Sequence, residues 1–330
     1  MDYVLLATSF AVILAGALMF TNAVEWAGHR LGMGEGATGS LLAAVGTAMP
    51  ETLIPIVAII GGAAGAEDVA IGAIIGAPFL LATIAMALVG ISALVYRRRR
   101  PQGAGLNADA ETLDRDLAFF LAFFAAGVAI GLGVPDALQI PLAAVFVLAY
   151  VVYVRRTLRA GGAVQELDTL APLIMDRTPG LDPPGRLIVL QFAIGLGAMV
   201  GGAHLFVEEL LNVAERIGVE PLVLSLVLAP LATELPEKAN SFFWVREGKD
   251  SLALGNITGA MVFQSTMPIA IGLLLTDWEL GRFAVLSGVL GLAGGVIAYW
   301  ALRKRGRFEL PPVVAWIALF AAFIVYVAVA

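Results

Sequence analysis

Ten apolar stretches, each about the length that crosses a hydrocarbon core, run through this chain of 330 residues. They fall at roughly 4–28, 38–62, 69–96, 115–133, 138–158, 186–211, 221–245, 251–275, 281–302 and 311–330. A chain built this way must satisfy every backbone polar group inside its own segments. Helices are the solution that a run of such segments permits. The composition agrees: 60% of the residues are hydrophobic and only 14% are charged. The expected class is an all-α polytopic membrane protein. With no cysteine in the sequence, disulfides, thiolate chemistry and Cys-based metal sites are excluded.

The connections are short except for 97–114 and 159–185. The second holds Gly161-Gly162, Pro172, Pro179 and Pro183-Pro184, and reads as a cytoplasmic linker. It divides the chain into a first five-helix half, 1–158, and a second, 186–330. Lys and Arg set the orientation. The clusters at Arg97 to Arg100, Arg155-Arg156 with Arg159, and Arg303 to Arg305 with Arg307 share one side if both termini lie outside. Because five is odd, the second half then enters from the opposite side. The expected architecture is ten transmembrane helices as two inverted-topology five-helix repeats. The stretch from Tyr3 to Val24 lacks a basic start and reads as a span, not as a cleavable leader.

The repeat is visible in the letters. Arg30-Leu31-Gly32 matches Arg216-Ile217-Gly218, and at the same interval beyond each comes a Pro-Glu pair. The first is Thr47-Ala48-Met49-Pro50-Glu51; the second is Thr233-Glu234-Leu235-Pro236-Glu237. Downstream, Ile71 to Ala77 matches Leu254 to Ala260. A carboxylate at bilayer depth costs several kcal/mol unless it is paired, protonated or holding a cation. Each proline frees backbone carbonyls within its helix. Carbonyls, Thr hydroxyls and carboxylates are hard oxygen ligands, suited to Ca²⁺, Na⁺ or similar ions.

On these residues the chain resembles the calcium/cation antiporter superfamily, the sodium/calcium exchanger-like proteins. Their two repeats each carry a Gly-Thr-Ser-Leu-Pro-Glu type motif. Gly46 to Glu51 and Ala232 to Glu237 stand in those places. The resemblance implies that Glu51 and Glu237 bind the transported cation, and that Thr47 and Thr233 contribute carbonyls. Further polar lining is expected from Glu234, Asn256 and Gln264, with Asn240 and Ser241 as additional candidates.

The departures from the family pattern are specific. The motif serine is Ala48 in one repeat and Glu234 in the other; the later serines are Ala77 and Ala260; and Leu81 and Gln264 stand where the family has Asn or Asp. The family's residues there are associated with Na⁺ sites. Lys238 lies four residues after Glu234, in the order that pairs best on a helix. It reads as an ion-pair partner or as an internal counter-charge for the empty site. His29 is expected at a span end and His204 in a helix contact. Glu25, Glu208 and Glu209 are candidates for span ends or an access path. Trp26, Tyr96, Trp244, Trp278 and Trp300 are expected in interfacial belts.

The expected function is secondary antiport of a divalent cation, Ca²⁺ first, against H⁺ or Na⁺. Spans 2, 3, 7 and 8 form the core and spans 1 and 6 the moving gate. No enzyme is expected, since neither a nucleophile nor metal-binding histidines accompany the glutamates. The first alternative is a proton-coupled or altered-specificity cation exchanger whose main substrate is not Ca²⁺; a membrane-embedded enzyme or a passive channel would be the rival class. No resident cofactor, no ATP-binding loop and no nucleic-acid footprint is read; the partners are inorganic cations and the bilayer. The expected location is a prokaryotic inner membrane, and the expected state a monomer.

Overall fold

The computed structural model describes residues 2–30, 43–159, 171–176, 183–304 and 306–330. Among them every regular element is a helix. In chain order these are α1 (Asp2–Arg30), α2 (Ala43–Gly61), α3 (Ala66–Leu80), α4 (Met86–Val95), α5 (Ala110–Ile130), α6 (Gln139–Arg159), α7 (Gly185–Ile217), α8 (Pro221–Arg246), α9 (Asp250–Gln264), α10 (Met267–Leu275), α11 (Arg282–Ala298) and α12 (Leu310–Val329). A five-residue π turn, Leu81–Ala85, joins α3 to α4 as one long rod. Among the described residues seven helical segments are long and apolar enough to cross a membrane, and two shorter apolar runs, Met49–Gly61 and Pro221–Glu234, add to them. The protein is a multi-pass membrane protein.

Without a strong hydrophobic force between helices in lipid, small residues decide where backbones meet. Gly72 and Gly76 let α3 lie directly on α8: a Cβ at Gly76 would run into the Leu226 carbonyl. The Ser225 hydroxyl closes the same seam by donating to the Val69 carbonyl at 2.6 Å. Gly16, Gly195 and Gly202 do the same for α1 against α7. The largest apolar core gathers side chains from α3, α4, α5, α8 and α9 to α12. A second core joins α1, α2, α3 and α7.

One span holds an unexpected break, and two expectations need correction. The span expected at 251–275 is found as Asp250–Leu275, interrupted where α9 stops at Gln264 and α10 starts at Met267. Pro268, in the first turn of α10, has no N–H to continue a helix and its ring crowds the carbonyl four residues back. The hydroxyls of Ser265 and Thr266 both donate to the Val262 carbonyl, at 2.9 Å each, at the end of α9. Trp278 is not interfacial: it is 2% exposed and its indole N–H donates to the Gly127 carbonyl at 3.1 Å. Arg100 is not part of an exposed basic cluster. Its side chain is fully buried, and Nη2 donates to both oxygens of Asp250, at 2.6 and 2.7 Å. Gln102 and the backbone N–H of Asn107 also donate to that carboxylate. The loop after α4 is thereby fastened to the start of α9.

Part of the linker lies within the described residues. Its Ala171 to Met175 stretch docks on α1 and α7 through side chains, not secondary structure. Asn22 accepts from the Ile174 N–H at 3.1 Å, and Gln191 accepts from the Met175 N–H at 2.9 Å. Gln191 also donates to Asn22 at 2.9 Å. Leu173 packs beside Ala23 and Ile188.

Candidate cation site

The polar residues of the second repeat converge between α8 and α9. Residues 233 to 241 make just over two turns of α8, so Glu234, Lys238 and Ser241 share one face at intervals of four and three. On α9, Asn256 and Gln264 lie eight apart, again on one face. The two faces meet in a chain of contacts. Gln264 Nε2 donates to Glu234 Oε1 at 2.8 Å. Lys238 Nζ lies 3.5 Å from Glu234 Oε2 and donates to Asn256 Oδ1 at 3.4 Å. Asn256 Nδ2 donates in turn to Ser241 Oγ at 3.0 Å. Each amide donates away from the lysine, so a carboxylate and an amide oxygen are turned towards it.

Most of this is shielded from solvent, with Asn256 partly exposed. Glu234, Lys238 and Gln264 are each 2% exposed, and Ser241 is fully buried. Buried charges of this kind persist only when paired and hydrogen-bonded. Gln264 is the last residue of α9, so the C-terminal carbonyl end of that half-helix, with its partial negative charge, lies at the same level.

Of the residues the sequence singles out, the structure brings Glu234, Lys238, Asn256 and Gln264 together. Thr233 is buried, and its hydroxyl bonds back to the Ala229 carbonyl at 3.1 Å. Glu51 is 7% exposed with both carboxylate oxygens shielded, on α2, which packs against α8. Thr47 lies within α2 and Glu237 within α8, and their side chains fall outside the described ones. Among the described residues no three His, Asp or Glu side chains form a metal cluster. Asn240 is exposed and does not join the network. His29 and His204 are both exposed, and Glu209 is buried.

Two polar clusters escape the sequence reading. Asp116, 2% exposed, accepts from Tyr153 at 2.8 Å, from Thr258 at 2.9 Å and from Arg115 at 3.1 Å. It ties α5 and α6 to the side of α9. The signal available was an Asp beside Arg115 at the start of an apolar span. The other is the Arg100–Asp250 fastening, whose partners lie 150 residues apart. A pocket of about 470 Å³ opens at the α7–α8 turn beside Glu215, Glu220 and Pro221. About 20 Å of helix separates Pro221 from Glu234, so that opening is not the polar network itself.

The family described as "Sodium/calcium exchanger protein" matches residues 1–158 and 187–330. The chain belongs to this family. The two matched segments coincide with the two halves on either side of the linker, and each contains one Pro-Glu motif. Among relatives of this exchanger-family protein, the putative antiporter CaxA of Alkalimonas amylolytica is 26% identical over 147 residues, 42% of this chain and 46% of that protein. The match thus spans less than half the length of that relative. The inner membrane protein YrbG of Escherichia coli is 25% identical over 74% of this chain and 71% of its own. Among solved structures, the H⁺/Ca²⁺ exchanger CAX shares the fold with a TM-score of 0.69 at 21% identity, covering 98% of this chain and 81% of that one. The sodium–calcium exchanger NCX_Mj gives 0.55 at 19% identity over 98% of both chains. The matched family is one of exchangers, which points away from an enzyme.

Proposed function

We propose that this protein is a secondary antiporter that exchanges a divalent cation, Ca²⁺ first among candidates, by alternating access. The observation that carries this reading is the double occurrence of the Pro-Glu motif, one in each segment that matches the exchanger family. Glu51 and Glu237 are the direct cation ligands, with carbonyls at Thr47 and Thr233 beside them. Ten membrane helices in two inverted five-helix repeats bring the two motifs face to face near the midplane. Two irregularities support the repeat. The π turn at Leu81–Ala85 and the break around Ser265-Thr266 begin five and six residues after the matched Gly76 and Gly259. Alternating access then amounts to rocking of α1 and α7, joined by their glycine seam, against the core.

The reading includes a coupling ion, H⁺ in preference to Na⁺. A Na⁺ ion must exchange its hydration for hard oxygens. Ala77 and Leu81 are buried where the family carries such oxygens, and they offer only carbon. Ala260 does the same. Both termini lie outside and the protein resides in the inner membrane.

Counterflow of radiolabelled Ca²⁺ in proteoliposomes tests the class of activity. An antiporter accumulates label against trapped unlabelled Ca²⁺ and stops when the trans cation is omitted. A channel equilibrates regardless, and an enzyme transports nothing. Repeating the assay under a pH gradient without Na⁺, then under a Na⁺ gradient at constant pH, identifies the coupling ion. Drive by Na⁺ alone would refute H⁺ coupling.

A further inference from the structure

Lys238 sits where a lysine is costly. It is 2% exposed, inside the apolar part of the fold, one residue beyond the Pro-Glu pair of the second repeat. Its ammonium faces Glu234 Oε2 at 3.5 Å and Asn256 Oδ1 at 3.4 Å. Both distances are longer than a tight charge-assisted hydrogen bond. The ammonium is shared between at least these two oxygens, one from each helix. Those oxygens are oriented from behind: Gln264 occupies the other carboxylate oxygen, and Ser241 receives the Asn256 amide.

We infer that the ammonium of Lys238 is a tethered monovalent cation, filling an oxygen-lined site between α8 and α9 that takes Na⁺ or a similar alkali ion once the lysine is shortened. This rests on the reading of the protein as a cation exchanger, and adds that Lys238 sets its ion specificity. The carboxylate of Glu234 and the side-chain oxygen of Asn256 are the ligand types an alkali cation takes. A free ion competing for them must displace a charge that is covalently attached and always present. Because the group is tethered, its presence beside those oxygens does not depend on the salt around the protein. The wild-type site is therefore closed to soluble monovalent ions, and the divalent cation is left to the carboxylates of the Pro-Glu pairs.

The test uses the full chain, purified in detergent and reconstituted, as wild type, Lys238→Ala and Lys238→Ala with Glu234→Gln. Na⁺ is compared with choline at constant ionic strength and pH. The readouts are bound radiolabelled Na⁺ and the midpoint of thermal unfolding. Wild type is expected to bind no Na⁺ saturably and to unfold at the same temperature in both salts. Lys238→Ala is expected to gain a single saturable Na⁺ per chain, with a midpoint that rises as Na⁺ is added. The double variant, lacking the carboxylate, is expected to lose both effects. Should Lys238→Ala purify only when Na⁺ is present, that dependence is itself the expected rescue. A folded Lys238→Ala with no Na⁺ response overturns the inference. So does saturable Na⁺ binding by the wild type, or failure of Lys238→Ala in both salts together with indifference of Lys238→Gln to Na⁺. Ca²⁺ counterflow in Glu51→Gln separates the two claims. If it proceeds unchanged, the exchanger assignment of Glu51 fails, whether or not Lys238→Ala gains a Na⁺ site.

Discussion

The ammonium of Lys238 lies 3.5 Å from the carboxylate of Glu234, one helical turn away, and both side chains are almost wholly buried. Removing one member of such a pair leaves an uncompensated charge in a low-dielectric interior. That costs about 3–5 kcal/mol, whereas replacing both members by apolar groups is close to neutral. Glu234→Gln in choline buffer is expected to lower stability by about that amount, and Glu234→Leu with Lys238→Met to recover most of it. A double-mutant cycle on thermal unfolding gives the coupling. Additive losses from the two single changes would mean that the pair is not coupled.

A second buried pair carries a similar prediction at the start of α9. Asp250 accepts from Arg100, from Gln102 and from the Asn107 N–H, and so fastens the loop after α4 to α9. Arg100→Met is expected to cost about 3–5 kcal/mol because the Asp250 carboxylate keeps its burial and loses its cation. Faster proteolysis within residues 97–109 should accompany it. An unchanged unfolding midpoint and an unchanged cleavage rate would show that the fastening does not hold the loop.

The helix-packing prediction concerns Gly76. A methyl group there meets the Leu226 carbonyl across the α3–α8 seam, which is rigid backbone on both sides. Gly76→Ala is expected to destabilise by about 1–3 kcal/mol through overpacking. Gly255→Ala, where nothing described lies within 4 Å of an added Cβ, should fall within about 0.5 kcal/mol of wild type. Equal losses at the two positions would contradict the seam.

Asp109 caps α5 outside the membrane. Its carboxylate accepts from the Thr112 hydroxyl at 2.6 Å and from the backbone N–H groups of Glu111 and Thr112. The Thr112 hydroxyl, with those N–H groups, holds the carboxyl below the usual aspartate range. A folded-state value below the unfolded one contributes stability that is present above the unfolded pKa and lost as pH falls through the folded one. Asp109→Ala is expected to cost about 1 kcal/mol at neutral pH, and the gap from wild type should close in acid. A gap that widens in acid would reverse the sign.

Much of this structure is legible in the letters because the bilayer simplifies the problem. A span must be apolar and about twenty residues long, so α1, α6, α8 and α12 end within a few residues of the expected limits. The Glu234–Lys238 contact is legible for a related reason: both residues ride on one helix, where a spacing of four fixes the geometry. Gln264 and Asn256 were readable as candidates, but their contacts with Glu234 and Lys238 depend on how α9 docks, which spacing along α9 does not contain. Trp278 illustrates the limit. A Trp near a span end suits an interface by composition, yet Gly272 opens a slot that buries it and the Gly127 carbonyl accepts from its indole N–H. The break after Gln264 is likewise hidden: Pro268 signals it, but prolines at 50 and 55 sit inside α2 with the helix continuing through them.

The central claim is that the two motif glutamates hold the transported cation. The most direct measurement is radiolabelled Ca²⁺ counterflow by purified Glu51→Gln in liposomes, beside a wild-type preparation of equal folded content. Loss of counterflow, with an unfolding midpoint kept and with Ca²⁺ no longer raising it, is the expected result. Counterflow at the wild-type rate, with Ca²⁺ still raising the midpoint, would contradict it.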